Sequence, residues 1–61
     1  MNESLRKRIE RLRDKINDQL ETVRNRILSY KESDDFENAM KADIKRMSLL
    51  SFLEEINNTL K

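Results

Sequence analysis

Apolar residues recur along residues 5–30 at steps of three or four, the spacing of one face of an α-helix. The intervening positions are mostly charged or amide residues, so the pattern predicts one amphipathic helix over about residues 3–30. Asn2 or Ser4 is expected to cap its first turn. The apolar positions of this helix are Leu5, Ile9, Leu12, Ile16, Leu20, Val23, Ile27 and Tyr30.

A second helix is predicted over about residues 34–59, after a turn at about residues 31–33. Ser33 or Asp34 is expected to cap it, because an Asp34 cap places Glu37 three residues later, as in a capping box. The sequence contains no Gly and no Pro, which would be unusual for a β-rich or turn-rich fold. The predicted fold class is therefore all-α.

Two helices of similar length joined by a short turn predict an antiparallel hairpin. The apolar residues of the second helix match those of the first in reverse order, but the register changes by two residues near the middle. Two residues correspond to about 200° around a helix, so the two sets lie on nearly opposite faces. The first set pairs Leu5 with Leu60, Ile9 with Ile56, Leu12 with Leu53 and Ile16 with Leu49. The second set pairs Leu20 with Met47, Val23 with Ile44, Ile27 with Met40 and Tyr30 with Phe36.

The change of register leaves two interpretations of the second helix. It either breaks near residues 47–51, where Ser51 and Glu54 form another capping-box pattern, or it continues with two apolar faces. We favour a continuous helix, because Leu and Met are good helix formers and no Gly or Pro interrupts the segment. One face, which also includes Ala39 and Ala42, then packs on the first helix. The predicted hairpin core consists of Leu5, Ile9, Leu12, Ile16, Leu20, Val23, Ile27, Leu49, Leu53, Ile56 and Leu60.

The second apolar face of a continuous helix is a candidate partner or dimer interface, formed by Phe36, Met40, Ile44, Met47 and Leu50. Methionine is flexible and fits irregular partner surfaces. A chain of 61 residues buries only a small core, and such chains often gain stability by oligomerising. We expect a homodimer that completes a four-helix bundle, or one helical protein partner. If the helix is instead broken, these residues belong to the core of a kinked hairpin.

The composition argues against catalysis and against cofactor or metal binding. The sequence has no His and no Cys, so it lacks the commonest general base, the commonest metal ligand and any thiolate. The acidic residues Glu32, Asp34, Asp35 and Glu37 lack the glycine and the ligand spacing of an EF-hand loop. They are better explained as an acidic turn at a helix N-terminus. We expect no enzyme activity, no cofactor and no bound metal.

Charge gives little support for nucleic-acid or membrane binding. The net charge is +1, although the first half of the chain is basic and the second half acidic, so that the halves would attract each other. The basic cluster is interrupted by acidic residues and has no aromatic residue for base stacking, which favours a solvated and partly paired helix face. No apolar run reaches the roughly 18 residues of a membrane span, and no secretory signal is recognisable, so a cytoplasmic location is expected. The cluster comprises Arg6, Lys7, Arg8, Arg11, Arg13 and Lys15.

Residues 35–49 resemble the second helix of the Sda family of sporulation histidine-kinase inhibitors. That helix reads roughly D-F-I-x-x-I-x-x-E-I-x-R-R-S-L. The identical positions here are Asp35, Phe36, Ile44, Arg46, Ser48 and Leu49, and the similar ones are Met40 and Asp43. The resemblance implies a small helical hairpin that binds the dimerisation and phosphotransfer domain of a sensor kinase through Phe36 and its neighbours. The first helix is longer here than in that family.

The predicted function is that of a non-catalytic protein–protein interaction module. In this interpretation a small regulatory or assembly protein presents an apolar helical face to itself or to a helical partner. The alternatives are an inhibitor of a sensor histidine kinase, a secretion or assembly chaperone, and a weak nucleic-acid-binding hairpin dimer. By shape alone, the long hairpin is also similar to the small needle-subunit chaperones of type III secretion systems.

Overall fold

The computed structural model describes residues 2–61, which form two α-helices, α1 over Glu3–Glu32 and α2 over Phe36–Leu60. The helices pack against each other in an elongated molecule that measures 48 × 15 × 11 Å. Met1 belongs to the predicted domain of residues 1–61 but lies outside the described residues. The predicted all-α hairpin is confirmed.

The first turn of α1 is capped by Asn2, one of the two predicted caps. Its side-chain Oδ1 accepts a hydrogen bond from the backbone N–H of Leu5 at 2.8 Å. This bond satisfies one of the N–H groups that have no partner within the helix. The acidic Glu3 in the first turn and the basic Lys31 in the last turn complement the helix dipole. Ser4, the other candidate cap, lies inside the helix.

The chain reverses direction through Ser33, Asp34 and Asp35, in a Schellman arrangement that ends α1. Asp34 has a positive φ of 57°, the left-handed conformation in which a helix commonly terminates. The backbone N–H of Asp35 donates to the carbonyl of Tyr30 at 2.8 Å, and that of Asp34 donates to Lys31 at 3.1 Å. The carbonyls of Tyr30 and Lys31 near the end of α1 are therefore satisfied without a glycine.

The predicted cap of α2 at Ser33 or Asp34 is wrong, because both residues belong to the end of α1. The Ser33 hydroxyl donates to the carbonyl of Ser29 at 3.1 Å, and Asp34 occupies the left-handed position. The N-cap is Asp35, whose carboxylate accepts from the backbone N–H of Asn38 at 3.3 Å and from its side-chain amide at 2.7 Å. Consequently α1 ends two residues later than predicted, and α2 begins two residues later.

Helix α2 is continuous from Phe36 to Leu60, as favoured by the sequence. Ser51 lies within the helix, so its pattern with Glu54 does not act as a second capping box. Residues 47–51 contain no break, and the apolar residues of α2 therefore occupy two faces of one uninterrupted helix. The kinked-hairpin interpretation is not supported.

The core lies between the two helices and consists mainly of predicted residues. The buried side chains are Ile16, Leu20, Val23, Ile27, Ala39 and Ile56. Around the cluster of Ile16, Leu20 and Ile56, half-buried residues complete the core: Ile9, Leu49, Leu53 and Leu60. No polar or charged side chain is buried among the described residues, so apolar burial supplies the stabilisation of the hairpin.

Two residues of the predicted core, Leu5 and Leu12, are instead exposed, with 48% and 42% of their surface accessible. Leu5 lies near the open end of the hairpin, where fewer residues surround it. Leu12 lies at one side of the interface and lines a surface groove together with Phe52. A single neighbouring helix covers only the strip directly beneath it, and both leucines lie at the margin of that strip.

The best-buried leucine gives a direct test of the packing. Leu20→Ala is expected to lower the free energy of unfolding by about 2–5 kcal/mol, the usual loss for a buried leucine. Leu28→Ala, on the same helix but 60% exposed, is the matched control and is expected to change it by less than about 0.5 kcal/mol. Urea titrations followed by circular dichroism measure both. Equal effects of the two substitutions would contradict this packing.

The left-handed residue of the turn gives a second test. Asp34→Gly is expected to stabilise the hairpin by about 0.5–1 kcal/mol, because glycine adopts a positive φ without steric cost. Ser33→Gly is the control: Ser33 has a φ of −90°, so glycine gains nothing there and the hydroxyl bond to Ser29 is lost. Thermal unfolding should move in opposite directions for the two variants. A lower melting temperature for Asp34→Gly would contradict the turn geometry.

Candidate interaction surface

Five large apolar side chains form an exposed stripe along the outer face of α2. Four of them expose between 60% and 67% of their surface, and the fifth, Leu50, exposes 38%. We call these residues the outer stripe: Phe36, Met40, Ile44, Met47 and Leu50. They are the residues predicted from the sequence as a partner or dimer interface.

Helix geometry explains why the outer stripe cannot pack on α1. The stripe residues follow one another at steps of four and three, and so do the residues that face α1, but the two sets are offset around the helix. Ala39 is buried against α1, whereas the next residue, Met40, is 67% exposed. The register that pairs Leu20, Val23 and Ile27 with the outer stripe is therefore wrong.

An ion pair borders the outer stripe on one side. The Asp43 carboxylate accepts a hydrogen bond from Arg46 Nε at 2.9 Å, and Arg46 Nη2 lies 2.8 Å from the same oxygen in a salt bridge. Both side chains are partly buried. Among the ion pairs in residues 2–61, this one is both the most enclosed and the shortest. Hydrogen-bonded charges of this kind hold their side chains in place and form a polar rim beside the apolar surface.

Open grooves flank the outer stripe on both sides. The groove on the Asp43 side has a volume of about 430 Å³ and extends to Ile27 and Lys31 of α1. The groove on the other side has a volume of about 410 Å³ and is lined by Met47, Ser48, Ser51, Phe52 and Glu55. Both are open to solvent, so they suit contact with another surface better than enclosure of a small ligand.

The charged residues pair within each helix. Arg6 pairs with Glu10, Lys7 with Glu3 and Arg13 with Asp14 in α1, while Lys41 pairs with Glu37 in α2. No ion pair joins α1 to α2 within residues 2–61. The predicted attraction between the basic and acidic halves therefore does not involve a direct ion pair between the helices. The basic cluster of α1 is thus an exposed face, half of whose residues are paired locally.

Several polar side chains of both helices form local hydrogen bonds or ion pairs. The hydroxyls of Thr22 and Thr59 donate to backbone carbonyls four residues earlier in their helices. In the acidic turn, Asp35 caps α2 and Glu37 pairs with Lys41. Residues 2–61 contain no group of three or more side chains arranged to hold a metal ion. The surface is therefore suited to apolar contact.

Sequence reasoning missed two exposed apolar residues, Leu28 and Phe52. Leu28 is 60% exposed and lines a groove of about 350 Å³ beside Arg24 and Arg46. Phe52 is 48% exposed and, with Leu12, forms an apolar groove of about 270 Å³ near the open end. Each directly precedes or follows a core residue in the sequence, so a search for periodic stripes passes over it. Each lies one residue away from a core position, and this displacement was the feature of the sequence that could have indicated their exposure.

Neither helix contains an apolar stretch long enough to cross a membrane within the described residues. The chain matches no protein-family model, and no curated protein and no solved structure is significantly similar to it. The resemblance of residues 35–49 to the Sda family therefore depends on its motif residues alone. Of these, Phe36, Met40 and Ile44 lie on the exposed outer stripe, whereas Leu49 packs against the core.

Proposed function

We propose that this chain is a non-catalytic protein–protein interaction module that binds a helical partner, or itself, through the outer stripe of α2. The observation that supports the proposal is a contiguous row of five apolar side chains that the fold leaves exposed. Soluble monomers rarely expose patches of more than a few hundred Å², and larger ones generally mark interaction sites.

Burial of the outer stripe would supply the free energy of binding. Fully burying a Leu, Ile, Phe or Met side chain contributes about 1.5–3 kcal/mol relative to leaving it exposed. Five such residues on one continuous helix present anchors at the spacing with which helices bind in apolar grooves or beside other helices. Met40 and Met47 add flexible side chains that adapt to a partner surface.

Site-specific photocrosslinking in living cells tests the proposal. A photoreactive amino acid at Ile44 is expected to give one discrete covalent adduct, with another protein or with a second copy of the chain. The same amino acid at Leu28 is the matched control, because Leu28 and Ile44 are equally exposed, at 60% and 61%. Adding Met40→Glu to the Ile44 probe should abolish the adduct, since it places a charge on a surface that binding would bury.

The adducts formed at Ile44 and at Leu28 decide whether the proposal fails. If Ile44 and Leu28 give the same adducts, or if neither gives any, the outer stripe has no special role in binding. Circular dichroism of the Met40→Glu variant excludes unfolding as the cause of a lost adduct. Met40 is largely exposed, so its replacement leaves the core intact.

Inhibition of a sensor histidine kinase is a second candidate, favoured by the shared motif of residues 35–49. The resemblance assigns kinase contact to Phe36, and Phe36 is 64% exposed at the start of α2. We expect the chain to slow autophosphorylation of a sensor kinase from the same cell, and Phe36→Ala to relieve the inhibition at least about tenfold, the equivalent of 1.4 kcal/mol. Phe52→Ala, outside the stripe, is the control. Equal inhibition by both variants would exclude this contact.

The remaining alternatives predict other partners in the same experiments. A secretion or assembly chaperone would be crosslinked through Ile44 to the subunit that it protects. A nucleic-acid-binding hairpin would instead be retained on DNA or RNA in a strongly salt-dependent manner, through the basic residues of α1. Substitutions in the outer stripe would then leave retention unchanged unless dimerisation is required.

A further inference from the structure

We propose that the occupant of the outer stripe is a second copy of this chain, whose α2 docks antiparallel about a twofold axis beside Ile44. This inference depends on the proposed function and specifies the partner. Three properties of the surface support it: the order of its residues, the charges at its rim and its area.

The order of residues along the outer stripe is self-complementary. An antiparallel twofold axis at Ile44 places that residue opposite its own copy and reverses the sequence on either side. Met40 then lies within one residue of the level of Met47 of the second copy, and Phe36 lies within two residues of the level of Leu50 of the second copy. Every large apolar residue of the stripe meets another apolar residue. The one charged residue within this face is Asp43, seven residues from both Phe36 and Leu50, and its carboxylate is paired with Arg46.

The rim charges are self-complementary in the same arrangement. A twofold axis perpendicular to antiparallel helices keeps the same flank of both helices on the same side. Asp43 and Arg46 are both close to the axis, so Asp43 of each copy lies near Arg46 of the other. The ion pair at 2.8 Å within one helix would then become part of a four-membered network of alternating charge. The opposite flank presents the neutral residues Ser48 and Ser51 close to the axis, with Glu55 and the paired Glu37 and Lys41 farther along the helix.

The area is sufficient for a specific small interface. At the observed exposures the five side chains present on the order of 500 Å² of apolar surface, taking about 150–250 Å² for a large exposed side chain. Two copies together bury about 1,000 Å², which reaches the lower limit of specific interfaces before any rim contact is counted. Helix α1 is charged on its outward faces, so it remains at the edges of the assembly and α2 becomes its centre.

Single cysteines provide the test, because the chain has no native cysteine that would interfere. Ile44→Cys is expected to form a disulfide-linked dimer rapidly under mild oxidation, whereas the equally exposed Leu28→Cys is not. Phe36→Cys alone should crosslink poorly, because antiparallel packing separates its two copies by about 24 Å along the helix axis. A mixture of Phe36→Cys with a tagged Leu50→Cys chain should give the mixed dimer. Self-crosslinking of Phe36→Cys would indicate parallel helices and overturn the arrangement.

The oligomeric mass completes the test. Sedimentation equilibrium is expected to show a dimer for the unmodified chain, and Ile44→Glu should weaken it about a hundredfold, since each of two copies loses about tenfold. Leu5→Glu, at a residue that is 48% exposed near the open end of the hairpin and away from the Asp43–Arg46 rim, should remain dimeric. A monomer at all concentrations, with Ile44→Cys crosslinking no faster than Leu28→Cys, would overturn the second copy as occupant.

If Ile44 is then photocrosslinked to a different protein in cells, the proposed function stands while this inference fails. If it is crosslinked to nothing, both fail.

Discussion

A hairpin of two helices has only one internal interface, and this constraint governs the rest of the structure. Each helix can bury one face against the other and must leave the remaining faces to solvent or to another molecule. Helix α1 satisfies this condition, because nearly all of its apolar residues lie on one stripe. Helix α2 carries apolar residues on two faces and satisfies it only by leaving Phe36, Met40 and Ile44 uncovered.

Much of this architecture was predictable from periodicity. The spacing of Ile16, Leu20, Val23 and Ile27 identified the buried face of α1, and the change of register in the second helix identified the outer stripe. Periodicity reports the direction in which a side chain points but not how far a single neighbouring helix covers it. For that reason Leu12 was predicted to be buried and is exposed.

The turn could not be placed as well, because its conformation is one that sequence rules associate with glycine. Asp34 adopts a positive φ that aspartate tolerates better than most residues, and the hydrogen bonds from Asp34 and Asp35 to α1 compensate for the strain. Ser33, Asp34 and Asp35 are consecutive, and the side chain of each could cap a helix N-terminus equally well. Only the backbone geometry shows that Asp35 starts α2.

The uneven burial along the hairpin has a consequence for its local opening. Ile27 and Ala39 are buried close to the turn, whereas Leu5 and Leu12 are exposed in the half of α1 that leads to the open end. Amide hydrogens at the open end, outside Ile9 and Ile56, should therefore exchange with solvent through small local openings, and those of the packed segments between them and the turn only through larger ones. From Met40 to Leu50 the outer stripe lies in these packed segments. Its backbone is already ordered before any contact forms, so association through this face requires no folding step and is not slowed by one.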